Sequence, residues 1–158
     1  MLLGAAALAN LTRPALAADS IKIGMLSALT GVGAESGRNQ RNGAQLALDA
    51  INAKGGVLGR KLELVVEDNQ ISNPGSVLAF GRLTSQSDIV AYIGSMRSTQ
   101  VQAVSPDLLK AGKPMMFGGT DPALTLMGNS WLFRCRPNDT YSARAESDHS
   151  GSYPAAVK

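Results

Sequence analysis

Apolar positions along this chain switch repeatedly between a strand rhythm and a helix rhythm. Ile21, Ile23, Met25 and Leu26 form a short run that predicts a buried strand. A glycine-punctuated stretch follows, Thr30-Gly31-Val32-Gly33-Ala34-Glu35-Ser36-Gly37. Beyond it Ala44, Ala47, Leu48 and Ile51, with Leu46 and Ala50 beside them, make one stripe on a helix over residues 36–54. Gly55-Gly56 supply the left-handed stop that such a helix needs. Residues 62–68 are continuously apolar in the middle, as expected of a strand covered on both faces, and end in Glu67-Asp68-Asn69.

The alternation continues downstream. Asn73 can cap a second helix and Pro74 fits its first position, with Val77, Leu78, Phe80 and Leu83 as the predicted buried side through about residue 86. Residues 88–94 read as a third strand and 95–99 as the loop at its carboxyl end. Val101, Val104, Leu108 and Leu109 have core spacing in a helix over residues 99–111, where Pro106 is expected to kink or divide it. Residues 113–117 read as a fourth strand, Gly118-Gly119-Thr120-Asp121-Pro122 as its terminal loop, and 122–127 and 131–134 as a short helix and an extended segment. Asn138 or Asp139 can start another helix, but from Glu146 onward the chain is polar without apolar period. The ordered domain is therefore read as residues 19–144, with 145–158 an atypical, disordered tail. Strands alternating with helices through short loops predict a Rossmann-like α/β fold, a parallel sheet flanked by helices. Such sheets bind ligands at the carboxyl ends of their strands, where helix N-termini aim unpaired N–H groups at one crevice.

Composition narrows the chemistry. The net charge of +3 is spread without a basic run, which argues against nucleic acid. Cys135 is the only cysteine and His149 the only histidine, so metal-ligand patterns, disulfides and His-based catalysis lack their residues. No cofactor is expected. The loop at residues 31–37 resembles a dinucleotide fingerprint, but Ser36 fills the slot of its third glycine and Glu67-Asp68 lie too far along to meet a ribose. Ser98 and Thr120 have no base to activate them as nucleophiles. Glu67 and Asp68 have no catalytic partner and read as a solvated strand end. The chain is thus read as non-catalytic. Residues 1–18, an apolar run closed by Pro14 and Ala15-Leu16-Ala17, resemble an export signal, too short to span a bilayer. No Lys or Arg precedes the run, so a start upstream of Met1 is a second reading.

Several blocks in order carry a more specific resemblance: IKIGMLSALTG, GAQLALDAINAKGG, VLGRKLELVVED, IVAYIGSMRSTQ, GGTDPALT and LFRCRPND. Together they resemble the amino-terminal part of the leucine/isoleucine/valine-binding family of periplasmic substrate-binding proteins, over about residues 21–144. The resemblance implies a two-lobed fold of which this chain holds an incomplete first lobe, closing on an amino acid or similar small polar molecule. It also implies periplasmic export and, as partners, the membrane permease subunits of an ABC importer. A truncated or frame-shifted product with weak or no binding of its own is the expectation for the tail. A sensory ligand-binding domain of the same fold is one alternative and a nucleotide-dependent enzyme another. Carried over by position, ligand contacts fall on Ser98, Gly118, Gly119 and Thr120. Ser36 stands where aliphatic binders can carry an aromatic residue, and its hydroxyl would favour a more polar ligand. Arg97 would favour an anionic one, unless it is merely a solvated loop residue.

Overall fold

The computed structural model describes residues 19–150. Five strands form one sheet in the order β2-β1-β3-β4-β5: β1 (Ile21–Ser27), β2 (Leu62–Asp68), β3 (Ile89–Ile93), β4 (Met115–Phe117) and β5 (Leu132–Arg134). Every neighbouring pair is parallel, so the Rossmann-like expectation holds and the extended segment proves to be the edge strand. The helices are α1 (Ala34–Ala53), α2 (Asn73–Thr84), α3 (Ser98–Ala111) and α4 (Asp139–Ser150), with single turns at Gly31–Gly33 and Pro122–Thr125. The crossover from β1 steps outward to β2 and the next returns past β1 to β3, so right-handed connections place α1 and α2 on opposite faces.

The core lies on the α2 and α3 side. Leu26, Ala79, Phe80, Leu83, Ile89, Tyr92, Val101, Val104, Leu108, Met115, Phe117, Leu124 and Leu132 pack there as one cluster. Phe80 meets Tyr92 edge to face, with ring centroids 4.9 Å apart. Alternation along β4 and β5 turns Met116 and Phe133 to the other face, where each stays nearly half exposed. On that face α1 packs chiefly over β1 and β2, and an apolar recess of about 300 Å³ opens among Met25, Ala44, Ile93, Met116 and Cys135.

Several details depart from the sequence reading. In α2 the buried positions are Ser76, Ala79, Phe80 and Leu83, while Val77 and Leu78 are exposed. The i, i+3, i+4, i+7 spacing of the observed set is the better helix face, and two small residues, Ser76 and Ala79, complete it. Leu46, Ile51 and Leu109 are exposed as well. Pro106 sits inside α3 without dividing it, on an exposed position where water can serve the carbonyl its ring leaves unpaired. The boundary at Arg144 is corrected, since α4 runs on through Ser150. Asn138 Oδ1 accepts from Thr140 N at 3.1 Å, and Asp139 N donates to Thr120 O at 2.9 Å, which starts the helix against the β4 loop. The missing apolar stripe denies α4 a packed face, and residues 139–147 are exposed accordingly. The export signal and residues 151–158 lie outside the described residues.

Candidate functional site

The carboxyl ends of β3 and β4 are tied together by one hydroxyl. Ser98, the first residue of α3, accepts from both Thr120 N and Asp121 N at 3.1 Å each. Both lone pairs of Ser98 Oγ are thereby used, so the hydroxyl can act toward a ligand only as a donor. The opposite side of the same loop is clamped by Arg134. Its guanidinium donates to Gly119 O at 2.9 Å and Asp121 O at 2.7 Å, and lies 5.4 Å from the centroid of the Phe117 ring. Asp121 completes the loop, accepting from Ala123 N and Gln102 Nε2.

These ties leave a defined set of groups unused. Gly118 C=O, Gly119 N–H and the Thr120 hydroxyl have no partner among the described residues, nor do the amides of Ser98 and Thr99 that open α3. The loop packs closely at Gly119, where a Cβ would lie 2.8 Å from the end of the Leu124 side chain and 3.1 Å from Ser98 Cα, so a larger residue would have to displace them. These neutral donors and acceptors are of the kind that could serve a small zwitterion, N–H and O–H groups for a carboxylate beside a helix N-terminus and carbonyl and hydroxyl oxygens for an ammonium.

The structure therefore brings Ser98, Gly118, Gly119 and Thr120 to one loop pair. Ser36 is not on that pair. It lies in the first turn of α1, accepts from Gln40 Nε2 at 3.2 Å, and lines a neighbouring crevice with Met96, Arg97 and Gln100. Met96 joins the two places, since its sulfur covers Gly118 where a side chain would otherwise project. Gly37 sets how closely α1 approaches: a Cβ there would fall 1.7 Å from Ala28 O, and Gly37 O instead accepts from Ser27 Oγ at 3.1 Å.

The polar end of β2 is not solvated as read from the sequence. Asp68 accepts from Leu29 N at 2.8 Å, Thr30 Oγ1 at 2.6 Å and Gln70 N at 2.9 Å, and so anchors the loop leading into α1. Burial pushes its carboxyl up, but the hydrogen bonds from Thr30, Gln70 and Leu29 outweigh it and hold the group below its ordinary value. Glu67 pairs with Arg82 at 2.6 Å, and Asn69 is buried. Met96, Arg134, Gln100 and the Asp68 anchor escaped the sequence reading. Only the cluster Glu67-Asp68-Asn69 hinted at any of them, since three consecutive polar groups at a strand end need partners if buried. Cys135 is exposed, with its thiol donating to Phe117 O at 3.1 Å. Among the described residues no group of His, Cys, Asp and Glu could hold a metal.

A parallel sheet flanked by helices, with unused donors and acceptors at adjoining strand ends, is the class of fold seen here, and the chain belongs to the periplasmic binding protein family, which matches residues 20–149. Among its relatives is the Leu/Ile/Val-binding protein BraC3 of Rhizobium johnstonii, 36% identical over 70% of this chain and 34% of that protein. The leucine-, isoleucine-, valine-, threonine- and alanine-binding protein of Pseudomonas aeruginosa is 31% identical over 84% of this chain and 36% of its own length. The crystal structure of the branched-chain amino acid transporter substrate-binding protein LivJ of Streptococcus pneumoniae, in complex with isoleucine, superimposes with a TM-score of 0.72. It is 34% identical and aligns with 77% of this chain and 35% of that one. The chain thus spans about a third of the length of the relatives it matches. Each of these relatives is a binding protein by name.

Proposed function

We propose that the protein is the solute-binding component of an ABC importer, exported by the segment at residues 1–18, and that it binds an amino acid. The described residues correspond to the first lobe, whose β3 and β4 loops hold the ligand's α-carboxylate and α-ammonium. The reading is supported above all by the saturation of Ser98 Oγ, which leaves an O–H donor on the same loop pair as an unused Gly118 carbonyl and Thr120 hydroxyl. Binding consists of exchanging water for these fixed neutral groups, and no bond is made or broken. Closure of a second lobe over the ligand would then shift an open–closed equilibrium that the permease subunits sense. The names of the relatives favour an aliphatic or small polar amino acid.

Thr120→Val tests this, since it deletes the hydroxyl with little change of shape and leaves the loop's ties to Ser98 and Arg134 in place. Amino acids titrated into the isotope-labelled chain should move the backbone amide signals of residues 118–121. The variant should weaken the interaction about tenfold, the loss of one hydrogen bond to a charged group. Undiminished binding by a folded variant would refute the assignment.

A further inference from the structure

Beside the head-group loops, the ends of β1 and β3 and the first turns of α1 and α3 enclose a crevice of about 80 Å³. That exceeds the roughly 30 Å³ one water occupies in the liquid. Beside apolar Leu26 and Ile71, its lining includes the buried polar residues Ser27, Asn69, Ser95 and Gln100. The hydrogen bonds there leave one group over. Ile71 N donates to Asn69 Oδ1 at 3.1 Å, which fixes that carboxamide, and Asn69 Nδ2 then donates to Gln100 Oε1 at 3.1 Å. Ser95 Oγ donates to the same Gln100 oxygen. Gln100 Nε2 has no partner among the described residues, although the residue is only 2% exposed. Turning the Gln100 carboxamide over offers no relief, because its nitrogen would then face the Asn69 donor.

Two more unfilled donors adjoin it. Arg97 lines the crevice with its guanidinium in no ion pair or hydrogen bond among the described residues. Ser36, whose oxygen already accepts from Gln40, has its proton to give. No carboxylate is among the described residues that line the crevice; Glu35 lines an adjoining open recess with Val32 and Asn39, and Asp68 is engaged by Leu29, Thr30 and Gln70. Resting on the amino-acid reading above, we propose that this crevice receives the ligand's side chain, and that this side chain ends in a hydrogen-bond-accepting oxygen, a carboxylate or carboxamide, taken by Gln100 and Arg97. A bare aliphatic side chain would leave buried donors unpaired, and sites built to hydrogen-bond discriminate strongly against ligands that cannot reciprocate.

The test is a set of ¹H–¹⁵N correlation spectra of the full chain titrated with L-glutamate, L-glutamine and L-leucine. Backbone amides of residues 118–121 report the head group, and the Gln100 side-chain NH₂ pair reports the crevice. Glutamate or glutamine should bind at least tenfold tighter than leucine, and only they should move the Gln100 pair. Glutamate ahead of glutamine identifies a carboxylate, the reverse order a carboxamide. Gln100→Leu should abolish the preference. If that buried change prevents folding, exposed Arg97→Ala should still cut the glutamate preference severalfold. Leucine binding as tightly as both, with the Gln100 pair unmoved, overturns the inference while leaving the head-group reading intact. Silence of the 118–121 amides toward every amino acid overturns the reading itself and the inference with it.

Discussion

The two faces of the sheet are built differently. Under α2 and α3 the side chains of Leu26, Phe80, Tyr92, Val104, Met115 and Phe117 are closed from solvent. Under α1 only Leu48 and Gly37 of that helix are buried, Met116 lines an open recess, and Phe133 stays nearly half exposed. The first face is held by apolar burial. On the second, contacts at the mouth of the site help fix α1: the close approach of Gly37 to Ala28, the Ser27 hydroxyl, and the Asp68 anchor on the loop before it. The crevice opens at the strand ends between the two faces, taking Ser36 and Gly37 from α1 and Gln100 from α3.

Phe80→Ala should break the closed face outright, costing about 3–5 kcal/mol by lost burial and the cavity left behind, read from denaturant unfolding. Gly37→Ala strikes the other side. Its methyl group meets backbone that must move, so a loss of about 2–3 kcal/mol is expected, with amide shifts confined to β1, α1 and the crevice. Asp68→Asn should cost about 1–2 kcal/mol at neutral pH, since a partly buried carboxylate loses its charge-assisted bonds. Its pH dependence has a defined sign. A carboxyl depressed in the folded state contributes stability above its unfolded pKa of about 3.9 and loses it as pH falls through the lower folded value. The gap between wild type and variant should therefore close below about pH 4, and a gap unchanged at pH 3 would dissociate Asp68 from the anchor. Phe133→Gln should be smallest, within about 0.5 kcal/mol, because the ring is already half exposed on the open face.

The same division decides what the sequence made legible. The continuous apolar runs of β1 and β2 and the terminal glycines announced a parallel sheet, because burial on both faces writes itself into hydrophobicity. In α2 the reading chose Val77 and Leu78 over Ser76 and Ala79, since size is a poor guide when a close helix contact selects small residues. The loop after β4 could be located, but not its wiring. Arg134 lies 15 residues from Gly119 and Asp68 lies 39 from Leu29, and neither separation leaves a periodic trace. Gln100 reads as an ordinary polar helix residue until Asn69 and Ser95 are placed against it.

The central claim is that the β3 and β4 loops bind the two charges of an amino acid's head group. Its most direct test replaces those charges one at a time. Whichever L-amino acid shifts the amides of residues 118–121 most strongly is compared with its amino alcohol, which lacks the carboxylate, and with its deaminated acid, which lacks the ammonium. Each deletion should weaken the interaction at least tenfold, the amino alcohol sparing Gly118 C=O contacts and the acid sparing those of Ser98. An amino alcohol or deaminated acid that shifts the same amides at the same concentration as the parent amino acid would contradict the account.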